Sequence, residues 1–169
     1  MVSAAVLGLA SCGQNKGDKD FKYLIDEFAD LKVMRYQVPG WDELSLQQKE
    51  YIYHLAEAAK WGRDIHWDQN CQWNIPVRKT IEDIIENYKG DRECQAWNDF
   101  MVYAKRVFFS NGIHHHYAED KFFPDCDREY FQSLMEAVGE ADKCETILKV
   151  VYDPEYLLQR KSTNSAGDI

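Results

Sequence analysis

The stretch from Phe108 to Asp120, FFSNGIHHHYAED, holds three of the five histidines in the chain. Imidazole rings bind metals, exchange protons near neutral pH, and both donate and accept hydrogen bonds. Tyr117 adds an aromatic ring with a polar tip, and Asn111-Gly112 predicts a sharp turn after a helix. This stretch is therefore the first candidate for a binding or catalytic site.

Metal binding is one hypothesis for the three histidines. A catalytic zinc needs three protein ligands that converge on one point, often including two histidines one helical turn apart. In an extended chain neighbouring side chains point to opposite sides, so that only His114 and His116 share a side. The sequence contains no H-E-x-x-H pattern. The spacing thus disfavours a metal site within this chain, and a small metal-binding protein is kept as a third alternative.

Substrate contact is the second hypothesis, and it assigns binding roles to Asn111, His114, His116 and Tyr117. Loops held by rigid helices often carry binding residues, and these side chains offer donors, acceptors and an aromatic surface. The competing interpretation is structural, with the histidines bonded to backbone groups between helices. From composition alone the structural interpretation is the more frequent one, and both stay open.

The composition indicates one folded domain. The chain has 169 residues, of which 45% are hydrophobic and 14% aromatic, enough for a packed core. Its formal net charge of -9 argues against nucleic acids and anionic membrane surfaces as partners. The sequence has neither a glycine-rich phosphate loop nor a G-x-S-x-G elbow, the marks of two common enzyme classes.

The five cysteines do not form a C-x-x-C pair, so zinc-ribbon and thioredoxin-type sites are not supported. The odd number suggests a separate fate for Cys12. The other four allow three complete disulfide pairings or none, and the sequence does not choose between these states; they are Cys71, Cys94, Cys126 and Cys144.

The N-terminal segment Leu9-Ala10-Ser11-Cys12 resembles the bacterial lipoprotein signal, in which the cysteine becomes lipidated. It predicts a signal segment at 1–12 that ends at Cys12, and a polar tether at 13–20. The expected location is the cell envelope, lipid-anchored in the periplasm or at the outer membrane. The basic residues that open such signals are missing, since no Lys or Arg precedes Lys16, and the competing interpretation is an ordinary apolar terminus. The alternative location is the cytoplasm.

The body of the chain is predicted to be mainly α, with one or two short strands. Alternation near Leu31 indicates a strand that ends before Pro39-Gly40, and a Trp-rich loop is expected at 63–74. Apolar residues at helical spacing, with capping residues at the ends, predict five helices. These lie at about 45–62, 74–90, 93–109, 131–139 and 144–154.

The amino-acid sequence resembles that of bacterial dipeptidyl peptidase III, the M49 family of zinc metallopeptidases. The resemblance is carried by FADLKVMRYQVPGWDELSLQQKEYIYHLAEAAKWGRDIHWDQN, by NYKGD, and above all by RVFFSNGIHHHYAEDKFFP. It covers nearly everything after Asp20. It implies a two-lobed hydrolase that removes dipeptides from the N-terminus of short peptides. In that family an H-E-x-x-G-H motif and a downstream Glu hold the zinc.

Because the chain contains no H-E pair, the resemblance implies a non-catalytic portion of such an enzyme, without catalytic or metal-binding residues. Residues 21–160 would be its helical N-terminal region and 161–169 a truncated loop. Zinc and the peptide substrate would belong to the full-length enzyme, and a missing C-terminal portion would be a partner. The protein would contact a membrane only through the lipid anchor. The alternative is a self-contained, lipid-anchored helical binding module that uses the 111–117 loop.

Overall fold

A computed structural model describes residues 21–158 of the chain. The chain divides into two compact units, with the boundary between Glu50 and Tyr51. The predicted signal segment with Cys12, the tether at 13–20 and the truncated loop at 161–169 lie outside the described residues. Among the residues described, no helix is both long and apolar enough to cross a membrane.

The first unit contains an antiparallel hairpin of β1 (Leu24–Phe28) and β2 (Leu31–Met34). The strand predicted near Leu31 is therefore present, and a second strand precedes it. Arg35 closes the open end of the hairpin, because its Nε donates to Lys22 O at 2.8 Å and its guanidinium lies 4.5 Å from the centre of the Phe21 ring.

Helix α1 (Leu46–Trp61) begins where the sequence predicts it. The Gln48 N–H donates to Ser45 Oγ at 3.3 Å, and the Ser45 N–H donates to Gln48 Oε1 at 2.9 Å. This reciprocal pair is a capping box, which satisfies two N–H groups at the start of the helix. Gly62 follows the last helical residue, as predicted.

The apolar side of α1 is exposed, unlike those of the later helices. Tyr51, Ile52 and Leu55 share one side of the helix at helical spacing, and Tyr51 is 65% exposed and Leu55 52% exposed. None of the side chains of α1 is buried. Helix α1 therefore adds little to the core of the second unit.

The core of the second unit lies among four helices and is lined by fully buried side chains such as Ile81, Phe100, Phe131 and Leu148. A short 3-10 turn, Ala141–Lys143, precedes the last of these helices. The elements of this unit after α1 are α2 (Arg63–Asn70), α3 (Asn74–Asn87), α4 (Gln95–Ser110), α5 (Arg128–Ala137) and α6 (Cys144–Tyr152).

Helix α2 corrects the prediction of an irregular loop at 63–74. The helix is held by Trp67, which is buried, and by Arg78 of α3. Arg78 Nη1 donates to Asp64 Oδ1 at 2.7 Å, and its guanidinium lies 5.1 Å from the centre of the Trp67 ring. These contacts join residues distant in sequence, so tertiary packing overrides the local turn signals of this segment.

Candidate functional site

The histidine loop, residues 113–122, folds back on itself directly after α4. His114 and Lys121 form an antiparallel bridge, and the Phe122 N–H donates to Ile113 O at 2.8 Å. The two ends of the loop thereby pair like the strands of a short hairpin. Its side chains are consequently held by backbone hydrogen bonds on a fixed frame.

The entry to the loop is fixed by Asn74, a fully buried residue at the start of α3. Its Nδ2 donates to Trp67 O at 2.9 Å and to Asn111 O at 3.4 Å. Its Oδ1 accepts the Ile113 N–H at 3.1 Å. One amide thus joins α2, the end of α4 and the first residue of the loop. The sequence marked Asn74 only as a helix start.

Two of the predicted site residues contact backbone groups. Asn111 adopts the left-handed conformation, with φ 53°, and ends α4, as its sequence with Gly112 predicts. His114 is 4% exposed, and its Nε2 lies 2.7 Å from Leu157 O. A carbonyl oxygen only accepts, so that Nε2 carries the proton. His114 therefore ties the loop to the segment after α6.

Lys121 is a buried cation that sequence reasoning missed. Its Nζ donates to Val150 O at 3.2 Å, to Tyr156 O at 2.7 Å and to Asp153 O. Burial lowers the pKa of Lys121, and the Asp153 carboxylate opposes this shift. The ammonium group supplies donors to carbonyls at the C-terminal end of α6, where positive charge is favourable. Its role in these contacts is to hold the loop on α6.

The other two predicted site residues belong to a group of rings at the surface, the ring stack, formed by Phe109, His115, His116 and Tyr117. The centres of the His115 and His116 rings are 4.5 Å apart with planes inclined by 25°, and those of His116 and Tyr117 are 4.3 Å apart. Phe109 meets His116 edge-on at 5.2 Å. Tyr117 is 84% exposed, so the stack ends in an open aromatic ring.

His115 has a fixed orientation in the ring stack. Its Nδ1 accepts the N–H groups of Tyr117 at 3.1 Å and of Ala118 at 2.9 Å. The proton of the neutral ring is therefore on Nε2, where it makes a donor. Sequence reasoning omitted His115 because it assumed an extended chain. The turn at 116–118 instead brings neighbouring rings together.

The described residues contain no cluster suited to a metal ion, and their four cysteines are not joined in disulfides. Within residues 21–158, no group of three or more His, Cys, Asp or Glu side chains is placed to hold a metal ion. The expectation of zinc in a longer protein stays a prediction. Four cysteines are free thiols: Cys71, Cys94, Cys126 and Cys144. Burial raises the pKa of the Cys126 and Cys144 thiols.

A buried carboxylate lies away from the loop, between α3 and the turn before α6. Glu140 is 5% exposed, accepts the Thr80 hydroxyl at 2.7 Å, and pairs with Lys143. Burial opposes ionisation, but the Lys143 ammonium and the Thr80 hydroxyl together hold the pKa of Glu140 below its ordinary value of 4.5. Burial and the Glu140 carboxylate raise the pKa of Asp83.

We expect Thr80→Val to lower the free energy of unfolding by about 1 kcal/mol at pH 7, because the ionised Glu140 loses a hydrogen-bond donor. A carboxyl group with a lowered folded-state pKa stabilises the fold above the unfolded value and loses this effect as the pH falls through the folded value. The difference between the two proteins should therefore shrink below pH 4.5. Urea unfolding at pH 7 and pH 3 measures it.

The control for this substitution is Thr146→Val, which makes the same chemical change on an exposed residue of α6. It should alter the free energy of unfolding by less than about 0.5 kcal/mol at either pH. A loss in Thr80→Val that stayed equally large at pH 3 would assign the effect to packing, and would contradict the role given to the ionised Glu140.

The comparisons with known proteins give a similarity over part of the chain. No protein-family model matches the chain. Over 98 residues the chain is 28% identical to a protein named dihydrofolate reductase from Bacillus subtilis (strain 168). The match covers 54% of this chain and 55% of that protein, so that the chain spans about half the length of the relative.

This similarity contradicts the resemblance to dipeptidyl peptidase III. The assignments to the M49 family, to a zinc metallopeptidase and to the non-catalytic portion of a dipeptidyl peptidase are wrong, because the named relative is a reductase. The described residues are mainly helical with two strands. Their placement as the N-terminal portion of a two-lobed peptidase, however, has no support.

The alternatives that accompanied the peptidase hypothesis are affected as well. The relative gives no support to a lipoprotein signal ending at Cys12, to an anchor at the cell envelope, or to a lipid-anchored binding module. The expected peptide substrate and missing C-terminal portion stay predictions, and so do the binding roles of the four site residues.

Proposed function

We propose that this chain binds dihydrofolate, and that it does so at the ring stack. The proposal is supported by the similarity to a protein named dihydrofolate reductase. Dihydrofolate carries a flat, fused heterocycle with donors and acceptors along its edge. An open aromatic surface beside fixed polar groups suits such a ligand, because flat rings stack on one another with useful energy.

The ring stack is the observation that carries this proposal. Tyr117 presents an exposed ring that contacts His116, and Phe109 contacts His116 edge-on. The Nε2–H of His115 and the Tyr117 hydroxyl add hydrogen-bonding groups within the same stretch. These residues fit binding through stacking on one exposed ring, with a few polar groups beside it.

One cation near the loop partly offsets the acidic character of the chain toward an anionic ligand of this kind. Dihydrofolate carries carboxylates, whereas the whole chain has a net charge of -9. Arg106 places its guanidinium 5.0 Å from the centre of the Phe122 ring, and Phe122 lies edge-on to His115 at 5.9 Å. Arg106 thus places a positive charge on Phe122, the ring that contacts His115, which would reduce the repulsion of carboxylates in this part of the chain.

The proposal is confined to binding. Reduction of dihydrofolate requires a hydride donor such as a nicotinamide cofactor. The sequence has no glycine-rich loop of the type that holds a dinucleotide phosphate, so the residues present do not fit that cofactor in the usual way. We also propose the cytoplasm as the location, supported by the named relative rather than by any segment of this chain.

Isothermal titration of the purified chain with dihydrofolate tests the proposal. Removing the open ring with Tyr117→Ala should weaken binding about fivefold, which corresponds to about 1 kcal/mol of stacking energy. The matched control is Tyr53→Ala, which removes another exposed tyrosine outside the ring stack. Circular dichroism should show the same helix content for all three proteins.

A second titration separates the fused ring from the rest of the ligand. N-(4-aminobenzoyl)glutamate lacks the heterocycle and should bind more weakly than dihydrofolate. Equal affinity of the two ligands, or equal losses in Tyr117→Ala and Tyr53→Ala, would reject the ring stack as the binding surface. Absence of dihydrofolate binding by the unchanged chain would reject the proposed function itself.

A further inference from the structure

We infer that the second unit contains a separate binding site for a small aromatic carboxylate, in a groove between α5 and α6. The groove has a volume of about 340 Å³ and is lined by Arg128, Leu148, Lys149, Tyr152 and Asp153. It lies where the first residue of α5 meets the last turn of α6. Its volume is near the lower limit for sites that hold small molecules.

The groove contains one aromatic ring with a fixed orientation. Leu148 forms part of the lining but is only 1% exposed, so the apolar contact available to a ligand is that of the half-buried Tyr152. The Tyr152 hydroxyl donates to Cys126 O at 2.9 Å and to Asp127 O at 3.3 Å, which fixes the tyrosine ring against the segment before α5. An aromatic ligand could stack on this ring without first ordering it, and such a preformed surface lowers the entropic cost of binding.

Two cations and one carboxylate line the groove. Arg128 and Lys149 are both exposed, and within the part of the chain that the structure describes, no ion pair involves either of them. Asp153 Oδ1 accepts the Glu155 N–H at 2.9 Å, so that this carboxylate is engaged with the backbone. The lining is thus positive in a chain whose net charge is -9.

These features together select an anion with an aromatic body. The planar guanidinium of an arginine presents paired N–H donors that match the two oxygens of a carboxylate. The Lys149 ammonium, which lies 5.0 Å from the centre of the Tyr156 ring, adds a second positive charge. A neutral aromatic molecule would gain the stacking but neither charged contact. This discrimination does not depend on dihydrofolate binding at the ring stack.

Titration with benzoate, followed by the backbone amide signals in heteronuclear NMR spectra, tests the inference. Benzoate should shift the signals of Arg128 and of 148–153, and benzyl alcohol of the same size should bind at least tenfold more weakly. Arg128→Gln and Lys149→Gln should each weaken benzoate binding by about five- to tenfold, because both cations are exposed and water weakens their contacts with the carboxylate.

Two controls make the result decisive. Lys79→Gln removes the same charge from an exposed position on α3 and should leave the benzoate affinity unchanged. Tyr117→Ala should also leave it unchanged, since the ring stack is a different site. Equal binding of benzyl alcohol, an equal loss in Lys79→Gln, or no shift of the groove signals at saturating benzoate would each overturn the inference.

Discussion

Replacing Lys121 with Met is expected to lower the free energy of unfolding by about 3 kcal/mol. The Lys121 side chain is 5% exposed, and its ammonium donates to three backbone carbonyls. Methionine fills a similar volume but donates nothing, so these carbonyls would lose a charged donor in a place that water reaches poorly. Urea unfolding followed by circular dichroism at pH 7 measures the change.

The control is Lys79→Met, which makes the same change at an exposed position of α3. It should lower the free energy of unfolding by less than about 0.5 kcal/mol. Lys121→Arg should rescue little, because the larger guanidinium does not fit contacts made by a compact ammonium. A loss below about 1 kcal/mol in Lys121→Met would show that the three contacts add little net stability.

The pH dependence of the free energy of unfolding gives an independent measure of the contribution of Lys121 to stability. Burial lowers the pKa of Lys121 below its ordinary value of 10.5. Between the lowered folded-state pKa and 10.5, the unfolded chain binds more protons than the folded chain, so this residue's contribution to stability rises with pH. The stability of the unchanged chain relative to Lys121→Met should therefore increase as the pH approaches 10.5.

Lys121 shows why part of the candidate site could not be predicted from the sequence. Its acceptors are 29 to 35 residues further along the chain, and nothing in the local pattern indicates them. Ser45 and Asn111 were different, because their capping roles depend on residues within one helical turn. The helix boundaries at these two positions were accordingly predicted correctly.

The histidines show a second reason why the candidate site could not be fully predicted from the sequence. The alternation expected for an extended chain placed His114 and His116 on one side, whereas the structure buries His114 and brings His115 and His116 face to face. The difference comes from the turn at 116–118, which the letters HHHYAED do not specify. Likewise, the similarity of short strings suggested a peptidase, although strings of this kind do not test catalytic residues.

Replacing Asn74 with Ala is expected to cost about 3 kcal/mol in the free energy of unfolding, the other large effect. The Asn74 amide makes three hydrogen bonds, to Trp67 O, to Asn111 O and from the Ile113 N–H. Alanine would leave these groups without this partner, and would open a cavity beside them. Gly112 packs closely against this amide in the unchanged chain, since a Cβ at Gly112 would come within 2.7 Å of Asn74 Oδ1.

Asn74→Asp distinguishes hydrogen bonding from packing, because it keeps the size of the side chain but removes both donors and adds a buried charge. It should be destabilised at least as much as Asn74→Ala at pH 7. Asn98→Ala, at an exposed position of α4, should cost less than about 0.5 kcal/mol. Hydrogen exchange provides the local measurement, since the Ile113 amide should exchange faster in both Asn74 variants. If that amide stayed as protected as in the unchanged chain, Asn74 would not be the residue that holds the entry of the histidine loop.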